Sequence, residues 1–285
     1  MSNITKKTII IFGKNGQVAS DLINIFTQKS QFDIYNYSSK DIDFTDINNL
    51  KEKLNKLPKA HFIINATAYN EVDRAEDEQQ KADLINHQAV KEIAKYCQKQ
   101  QIKFIHYSTN YVFDGKSSQS HKEDCIKNLK PLSIYGQSKL NGENAIINSN
   151  CEYIIFRVAT VFNLNKENNF VAKIKKLAQN NQELNIVSDQ ITNPTNSIDI
   201  AKSTINVIEQ LTENDPRLNN IYHLASNKII SYYEFVKEFL SKENTTINPI
   251  ATSDFKTKAI RPINGGLDVF KIKKYFNINF DITMS

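Results

Sequence analysis

The sequence predicts an α/β protein, a doubly wound parallel sheet with a small C-terminal cap. Three observations lead to this fold class. Short apolar runs alternate with segments of helical periodicity, the first run leads directly into a glycine-containing turn, and the alternation loosens beyond about residue 163. Such alternation predicts parallel strands joined by right-handed helical crossovers that cover both faces of the sheet.

The predicted elements follow one another along the whole chain. The strands are short and rich in β-branched or aromatic residues, as buried parallel strands are. They comprise residues 8–12, 32–37, 61–66, 103–107, 152–156, 183–187 and 220–224. The helices have apolar residues three and four positions apart. They comprise residues 18–26, 47–57, 81–100, the segment that carries Tyr135, and residues 170–179, 198–211, 232–240 and 269–276.

These elements predict two structural regions. A dinucleotide-binding domain would comprise residues 1–162 with about 184–226, and a substrate-binding cap would comprise about 163–183 and 227–285. Ligands of parallel α/β sheets bind at the carboxyl ends of the strands. Gly13, Ala66 and Thr109 stand at three of those ends. We therefore expect the chemistry at this edge of the sheet.

The composition excludes several function classes. The net charge of +5 is modest, and the lysines are interleaved with apolar residues or lie at a terminus, which is typical of solvated helix faces rather than of a nucleic-acid surface. No apolar run is long enough to predict a membrane span or a secretory signal. We expect a cytoplasmic protein with no nucleic-acid or membrane partner.

The cysteines and histidines do not predict a metal site. Cys97, Cys125 and Cys151 lack metal-type spacing, and their odd number without a signal peptide favours a reducing compartment. The five histidines form no close pair and no repeated spacing, so we expect no catalytic metal.

An acidic cluster stands at the start of a helical region. It comprises Asp73, Glu76, Asp77 and Glu78. Its carboxylates are expected to cap helices at the surface, or alternatively to form an interface with a partner or a second subunit.

The segment Gly13-Lys14-Asn15-Gly16-Gln17-Val18-Ala19 predicts a nucleotide-binding turn. Glycine permits tight backbone turning between a strand and a helix, and it lets the first amides of the helix approach a pyrophosphate. A simple glycine turn is the alternative. The position of the turn after the first strand of an alternating pattern favours nucleotide binding.

Tyr135 and Lys139 stand four residues apart, after the strand that ends in Ser108-Thr109. Four residues is about one helical turn, so the phenol and the ammonium would share one face, where the positive charge favours the phenolate. A phenol has a pKa near ~10 in water, so a tyrosine that exchanges a proton near neutrality needs a cation close by. Alone, this spacing is also typical of a solvated helix face. Together with the glycine turn, it predicts a nicotinamide-dependent oxidoreductase.

Several longer motifs stand in order along the chain. They are Phe12-Gly13-Lys14-Asn15-Gly16-Gln17-Val18, Asn65-Ala66-Thr67-Ala68-Tyr69, Tyr107-Ser108-Thr109-Asn110-Tyr111-Val112-Phe113-Asp114-Gly115, Tyr135-Gly136-Gln137-Ser138-Lys139, Asp189-Gln190 with Pro194-Thr195, and Arg261-Pro262 with Leu267. Together they resemble the successive signatures of the dTDP-4-dehydrorhamnose reductase family, which belongs to the extended short-chain dehydrogenase/reductases. The match covers nearly the whole chain, and several motifs in register are more specific than any one of them.

The resemblance implies a Rossmann-type fold and a set of site residues. The implied catalytic residues are Thr109, Tyr135 and Lys139. The implied cofactor-binding residues are Gly13, Gly16, Gln17, Val18, Asp43, Phe44, Ala66, Ala68, Tyr69, Asn70, Tyr107, Tyr135 and Lys139. The implied substrate-binding residues are Thr109, Asn110, Thr160, Gln190 and Arg261.

The same resemblance implies a reaction. The hydroxyls of Thr109 and Tyr135 would polarise a bound keto group while hydride arrives from the nicotinamide, and Tyr135 would deliver the proton. Lys139 would hold the ribose and lower the pKa of Tyr135. The expected substrate is a nucleotide-linked deoxysugar with a 4-keto group, used in polysaccharide or glycoconjugate synthesis. A homodimer is also expected from the resemblance.

Two positions depart from the family pattern. Asn110 stands where the family usually has aspartate, and Thr160 stands where it usually has a tryptophan that packs on the deoxysugar. Loss of a charge and of an aromatic platform within one sugar pocket suggests a hexose other than 4-dehydrorhamnose, although a neighbouring side chain could compensate.

The cofactor preference is only weakly encoded. An acidic residue at the end of the second strand usually holds a free ribose 2′-hydroxyl, but Asn36 stands in this region. Ser38, Ser39 and Lys40 could accept a 2′-phosphate, which favours NADPH, with NADH possible and a plain solvated turn as the alternative.

Two other functions stay open at this stage. One is a non-catalytic NADP-binding regulatory subunit of a partner enzyme, because the fold alone does not guarantee chemistry. The other is a sugar-nucleotide epimerase or dehydratase of the same superfamily. Dehydratases usually need an added acid and base beside the catalytic serine or threonine, whereas Asn110 and Tyr111 follow Thr109 here.

Overall fold

The computed structural model describes residues 6–167, 169–241 and 243–283. The strands within these ranges are β1 (Lys7–Phe12), β2 (Phe32–Tyr37), β3 (Phe62–Asn65), β4 (Lys103–Thr109), β5 (Tyr153–Val158), β6 (Val161–Phe162), β7 (Glu183–Val187), β8 (Ile191–Thr192), β9 (Thr195–Asn196), β10 (Asn220–His223), β11 (Ile230–Ser231) and β12 (Thr246–Ile250). The α-helices are α1 (Gln17–Phe26), α2 (Ile47–Leu54), α3 (Val72–Ala75), α4 (Gln79–Asp83), α5 (Ala89–Gln100), α6 (Ile134–Ile147), α7 (Phe170–Asn180), α8 (Ser197–Gln210), α9 (Tyr232–Phe239) and α10 (Phe270–Phe276). Other helical turns are a π-helical turn (Leu84–Gln88) and 3-10 turns at Asn110–Val112, Ile126–Asn128 and Thr252–Asp254.

The described residues form a central parallel sheet of six strands in the order β10-β5-β4-β3-β1-β2. The predicted doubly wound fold is therefore confirmed. The strand order reverses at β1, since β2 lies on one side of it and β3 on the other. A reversal of this kind opens a crevice at the carboxyl ends of the strands, where such sheets bind ligands.

Alternate residues of β1 face two different helical layers. Ile9 and Ile11 pack in a core with side chains of α1, α8 and α10. Ile10 and Phe12 pack in a second core with side chains of α2 and α5. Because both faces of the strand are covered, its sequence is an uninterrupted apolar run rather than an alternating one.

A buried ion pair ties helix α6 to the sheet. Arg157, on β5, donates from Nε and Nη2 to the two carboxylate oxygens of Glu143, at 2.9 and 2.6 Å. Both side chains are only 1% exposed. Removal of either partner would leave an unpaired buried charge, which typically costs about 3–5 kcal/mol. The pair therefore fixes the helix that carries Tyr135 and Lys139.

The structure corrects the predictions in two places. The helix predicted over residues 81–100 is interrupted by the π-helical turn at Leu84–Gln88. The sequence predicts the strand from about residue 184 as part of the dinucleotide-binding domain, whereas β7 lies outside the six-stranded sheet and pairs in parallel with β12 in a separate two-stranded sheet. The sequence did not predict β12, because Pro249 disfavours a strand assignment other than at an edge. The other domain limits stay predictions.

Among the described residues, no helix has both the length and the apolar character that crossing a bilayer requires.

Candidate active site

The turn between β1 and α1 brings the uncapped first amides of α1 to the crevice. Gly13 has a φ of +87°, and a Cβ there would lie 2.8 Å from the carbonyl oxygen of Ala66. Gly16 is the N-cap of α1, where no side chain caps the first amides, and the first turn of the helix contains no acidic residue. Uncapped amides at a helix N-terminus suit the charge of a diphosphate.

A cleft of about 500 Å³ runs along the carboxyl edge of the sheet. Most of the predicted cofactor-binding residues line it: Gly13, Gly16, Gln17, Val18, Asp43, Phe44, Ala66, Ala68, Asn70, Tyr107, Tyr135 and Lys139. The cleft thus brings together residues that follow four successive strands. Lys81, Ile85 and Val161 also line it, and the sequence analysis assigned them no role in the site.

Tyr69 is the predicted cofactor-binding residue that does not line the cleft. Its side chain is buried, and its backbone N–H and carbonyl bond with the Asn86 side-chain amide at 2.9 and 3.0 Å. Asn86 also donates to the Ser138 hydroxyl at 2.9 Å. Sequence reasoning missed this fully buried asparagine, which lies in the π-helical turn and ties the loop after β3 to helix α6. The available signal was an asparagine among the apolar residues of a predicted helix face.

The segment after β2 lies at one end of the cleft. Ser38 and Ser39 line the cleft, whereas Lys40 does not. The backbone N–H and the hydroxyl of Ser38 both donate to the Asp41 carboxylate at 2.7 Å, which lowers the pKa of Asp41 to about 2. Lys14 lies 3.1 Å from the same carboxylate. The positively charged side chain near these serines is therefore that of Lys14, which belongs to the glycine turn.

Helix α6 brings Tyr135 to the Thr109 hydroxyl at the end of β4. Burial raises the pKa of Tyr135, and its hydrogen bond with Thr109 lowers it, with a net upward shift. This differs from the sequence-based expectation of an acidified phenol. Burial is the largest influence, and the Lys139 ammonium is directed to the carbonyl of Tyr107 at 2.6 Å.

Lys139 is enclosed by polar groups of strand β4. Its Nζ lies 3.2 Å from Nε2 of His106, whose Nδ1 lies 3.2 Å from the side-chain nitrogen of Asn65. Burial lowers the pKa of Lys139 to about 8, although Glu143 raises it. Burial also keeps the pKa of His106 well below its usual range. No spacing in the sequence indicated a role for His106, because its partner Lys139 lies on a different element.

Aromatic side chains extend from Tyr135 toward the cap. The Tyr111 ring packs edge-to-face on Tyr135 with centroids 5.6 Å apart. Thr160 has a φ of +37°, unusual for a β-branched residue, and its hydroxyl lies 2.9 Å from those of Thr192 and Tyr232. Tyr232 therefore places an aromatic ring beside the position where the family usually has tryptophan.

The cap is tied to the loop after β3 by a segment that we call the strap, residues 261–266. Its first residue, Arg261, donates to both carboxylate oxygens of Asp73, at 3.2 and 2.6 Å. Asp77 pairs with Lys258, and Glu76 accepts a hydrogen bond from the N–H of Ile134 at 2.9 Å. The acidic cluster does not cap the helices at its own position, since α3 and α4 have no side-chain cap bond. Instead Glu76 binds the first amide of α6, and Asp73 and Asp77 hold the cap within this chain.

The two remaining predicted substrate-binding residues are engaged within the protein. Gln190 donates to the Thr252 hydroxyl at 3.1 Å, and Asn110 donates to the carbonyl of Gly265 at 2.9 Å. Both side chains are buried, with 3% and 4% exposure. Neither residue lines the cleft, and each contacts a residue of the cap.

Comparisons with known proteins show which family the chain belongs to. A family model described as the RmlD substrate binding domain matches residues 7–281. The dTDP-4-dehydrorhamnose reductase of Aggregatibacter actinomycetemcomitans is 32% identical over 278 residues, which cover 95% of this chain and 93% of that protein. The chain belongs to the dTDP-4-dehydrorhamnose reductase family.

Other members of this family extend the comparison. The spore coat polysaccharide biosynthesis protein SpsK of Bacillus subtilis is 30% identical over 256 residues, covering 89% of this chain and 86% of that protein. A crystal structure of dTDP-4-dehydrorhamnose reductase from Bacillus anthracis in complex with NADP matches with a TM-score of 0.86 and 28% identity, covering 97% of this chain and 95% of that chain. The family resemblance predicted from the motifs is confirmed.

Proposed function

We propose that this protein is an NADPH-dependent reductase that converts the 4-keto group of a nucleotide-linked deoxysugar to an alcohol, for polysaccharide or glycoconjugate synthesis. The observation that carries the proposal is the placement of Tyr135 and Lys139 in one dinucleotide-type cleft, with the buried Thr109 side chain beside Tyr135. A phenol and a threonine hydroxyl in this arrangement suit reduction of a carbonyl. The similar reductases, which include one from Bacillus anthracis solved with NADP, support the same reaction.

The cleft suits the dinucleotide along its length. The free amides at the start of α1 and the turn at Gly13 would hold the diphosphate. Ser39 and Lys14 would donate hydrogen bonds to the 2′-phosphate, and Lys139 would hold the nicotinamide ribose. When bound, NADPH supplies hydride to the keto carbon.

The protein's own residues would supply the proton and stabilise the developing charge. Thr109 and Tyr135 would donate hydrogen bonds to the keto oxygen, which becomes more negative as the carbon accepts hydride. Tyr135 would then transfer its proton to that oxygen. Since burial raises its pKa, the phenol stays protonated at neutral pH and is ready to act as the acid.

The sugar would lie between the catalytic pair and the cap. Tyr111 and Tyr232 offer aromatic surface beside Thr160, and aromatic rings pack well on the apolar faces of sugars. This arrangement favours a hexose whose shape differs from 4-dehydrorhamnose where the family tryptophan would lie. The homodimer and the cytoplasmic location stay predictions.

Two rival functions make different predictions. A non-catalytic regulatory subunit would have no need of Thr109, Tyr135 and Lys139 together around one cleft, and an epimerase or dehydratase would not consume NADPH. Retention of all three residues supports catalysis, and net oxidation of the cofactor separates reduction from the other reactions.

The test is turnover with a panel of dTDP- and UDP-linked 4-keto-6-deoxysugars, followed by the loss of NADPH absorbance. The wild-type protein should oxidise NADPH with at least one of them. Tyr135→Phe should lower kcat by about 10²- to 10⁴-fold, the usual contribution of a general acid, while the Kd for NADPH stays within about twofold. Tyr96→Phe, on the outer helix α5, is the matched control. Absence of NADPH oxidation with every sugar, or full activity of Tyr135→Phe, would contradict the proposal.

A further inference from the structure

The side chain of Asn110 joins the catalytic threonine to the strap. Its Oδ1 accepts a hydrogen bond from the Thr109 hydroxyl at 3.3 Å, and its Nδ2 donates to the Gly265 carbonyl at 2.9 Å. Thr109 and Asn110 are 5% and 4% exposed, so water competes little for these bonds. The Asn110 side-chain amide thus connects Thr109 with the strap, which lies far away in the sequence.

This position requires a neutral amide. An ionised carboxylate only accepts hydrogen bonds, so an aspartate at residue 110 would face the Gly265 carbonyl as one acceptor against another. The backbone of the strap also packs closely against this side chain, since a Cβ on Gly265 would lie 2.5 Å from Nδ2 of Asn110. The departure from the family pattern at Asn110 therefore fits the strap of this chain.

The strap is held as a single unit. The N–H of Gly265 donates to the carbonyl of Ile191 at 2.9 Å, and the N–H of Ile191 donates to the carbonyl of Ile263 at 2.8 Å. Asn264 donates to the carbonyl of Gly115 at 3.0 Å. Arg261 anchors the other end through Asp73. Movement of the strap would therefore be transmitted to Asn110.

We propose that Asn110 is a positioning residue that couples the strap to the Thr109 hydroxyl, so that the substrate-facing cap and the catalytic threonine are aligned together. The proposal rests on the reductase function proposed above. Asn110 acts through Thr109 and need not touch the sugar. The Thr109 hydroxyl has one proton, which it donates to Asn110 Oδ1 and would redirect to the keto oxygen once the sugar binds. Asn110 thus holds this side chain in position until that exchange.

Asn110→Asp tests this role, with Asn110→Ala as the second variant. At neutral pH both should lower kcat by about 10- to 100-fold, the effect of breaking a buried hydrogen bond, with the Kd for NADPH unchanged. An aspartate buried beside a carbonyl has a raised pKa, and once protonated it can donate to Gly265. Lowering the pH from about 8 to about 5.5 should therefore restore activity to Asn110→Asp, relative to the wild type, but not to Asn110→Ala. Full activity of Asn110→Asp at neutral pH, or a loss without recovery at low pH, would overturn the proposal.

Hydrogen exchange separates this inference from the proposed reaction. Amides of residues 261–266 should exchange faster in both variants at neutral pH, and the rate in Asn110→Asp should return toward the wild-type rate at low pH after correction for intrinsic exchange. Unchanged exchange in the variants would overturn the coupling. This readout holds even if the wild type reduces none of the sugars, an outcome that would contradict the proposed function alone.

Discussion

The cofactor cleft and the strap are built from the sequence in different ways. The cleft is lined by residues that directly follow strands β1, β2 and β3 and by the end of β4, so each short motif carries its own part of the site. The strap is held by partners far along the chain: Gly265 bonds to Asn110, 155 residues away, and Arg261 to Asp73, 188 residues away. Cofactor binding should therefore depend on local backbone geometry, and sugar binding on long-range contacts.

Alanine substitutions at Gly13 and Gly115 should have the largest effects, one on the cleft and the other on the strap. Gly13→Ala places a Cβ at a φ of +87°, 2.8 Å from the Ala66 carbonyl oxygen. Gly115→Ala places one at a φ of +65°, 2.5 Å from Cβ of Pro262 in the strap. Backbone strain of about 1–2 kcal/mol, with the added clash, should cost at least about tenfold in the binding that each turn supports.

The measurements are the Kd for NADPH and the KM for the sugar nucleotide. Gly13→Ala should weaken NADPH binding. Gly115→Ala should leave the Kd for NADPH within about twofold and raise the KM for the sugar. If Gly115→Ala weakened NADPH binding as much as Gly13→Ala, the cleft and the strap would not be separable.

The pH dependence of NADPH binding should sharpen the assignment of Lys139 to the cofactor half. Its folded-state pKa is lowered to about 8 by burial, so the protein loses this positive charge as the pH rises through that value. The Kd for NADPH, measured by fluorescence titration, should therefore increase above pH about 8. Lys139→Met should bind about tenfold more weakly at neutral pH and lack this increase. A wild-type Kd that is constant from pH 7 to pH 9.5 would contradict the assignment.

The difference between local motifs and long-range contacts also determines which features the sequence could predict. The parallel sheet, the glycine turn and the Tyr135–Lys139 pair follow from periodicity and local spacing, and the structure contains all of them. The partners of Lys139 and Asn110 could not be predicted, because His106 and Gly265 approach them only through the fold. Likewise, the pairing of β7 with β12 depends on contacts across the cap that leave no periodic signal.

The smallest expected effect is that of weakening the contact between Arg261 and Asp73. Lysine cannot reproduce the paired hydrogen bonds of arginine, and Asp73 is 45% exposed, so water screens part of the interaction. Arg261→Lys should raise the KM for the sugar about threefold and leave the Kd for NADPH unchanged. Arg74→Lys is the control, since Arg74 lies on the same helix α3 as Asp73 but pairs with Glu78. Equal effects of the two substitutions would show that the strap contact has no special role in sugar binding.

The central claim is that hydride passes from the nicotinamide to a keto sugar held by Thr109 and Tyr135. The most direct measurement uses NADPH carrying deuterium at the transferred position, with mass spectrometry of the sugar product. Hydride transfer from the nicotinamide should leave one deuterium bound to C4 of the new alcohol, with stoichiometric formation of NADP. A product without deuterium, or an altered sugar with the cofactor unconsumed, would contradict it.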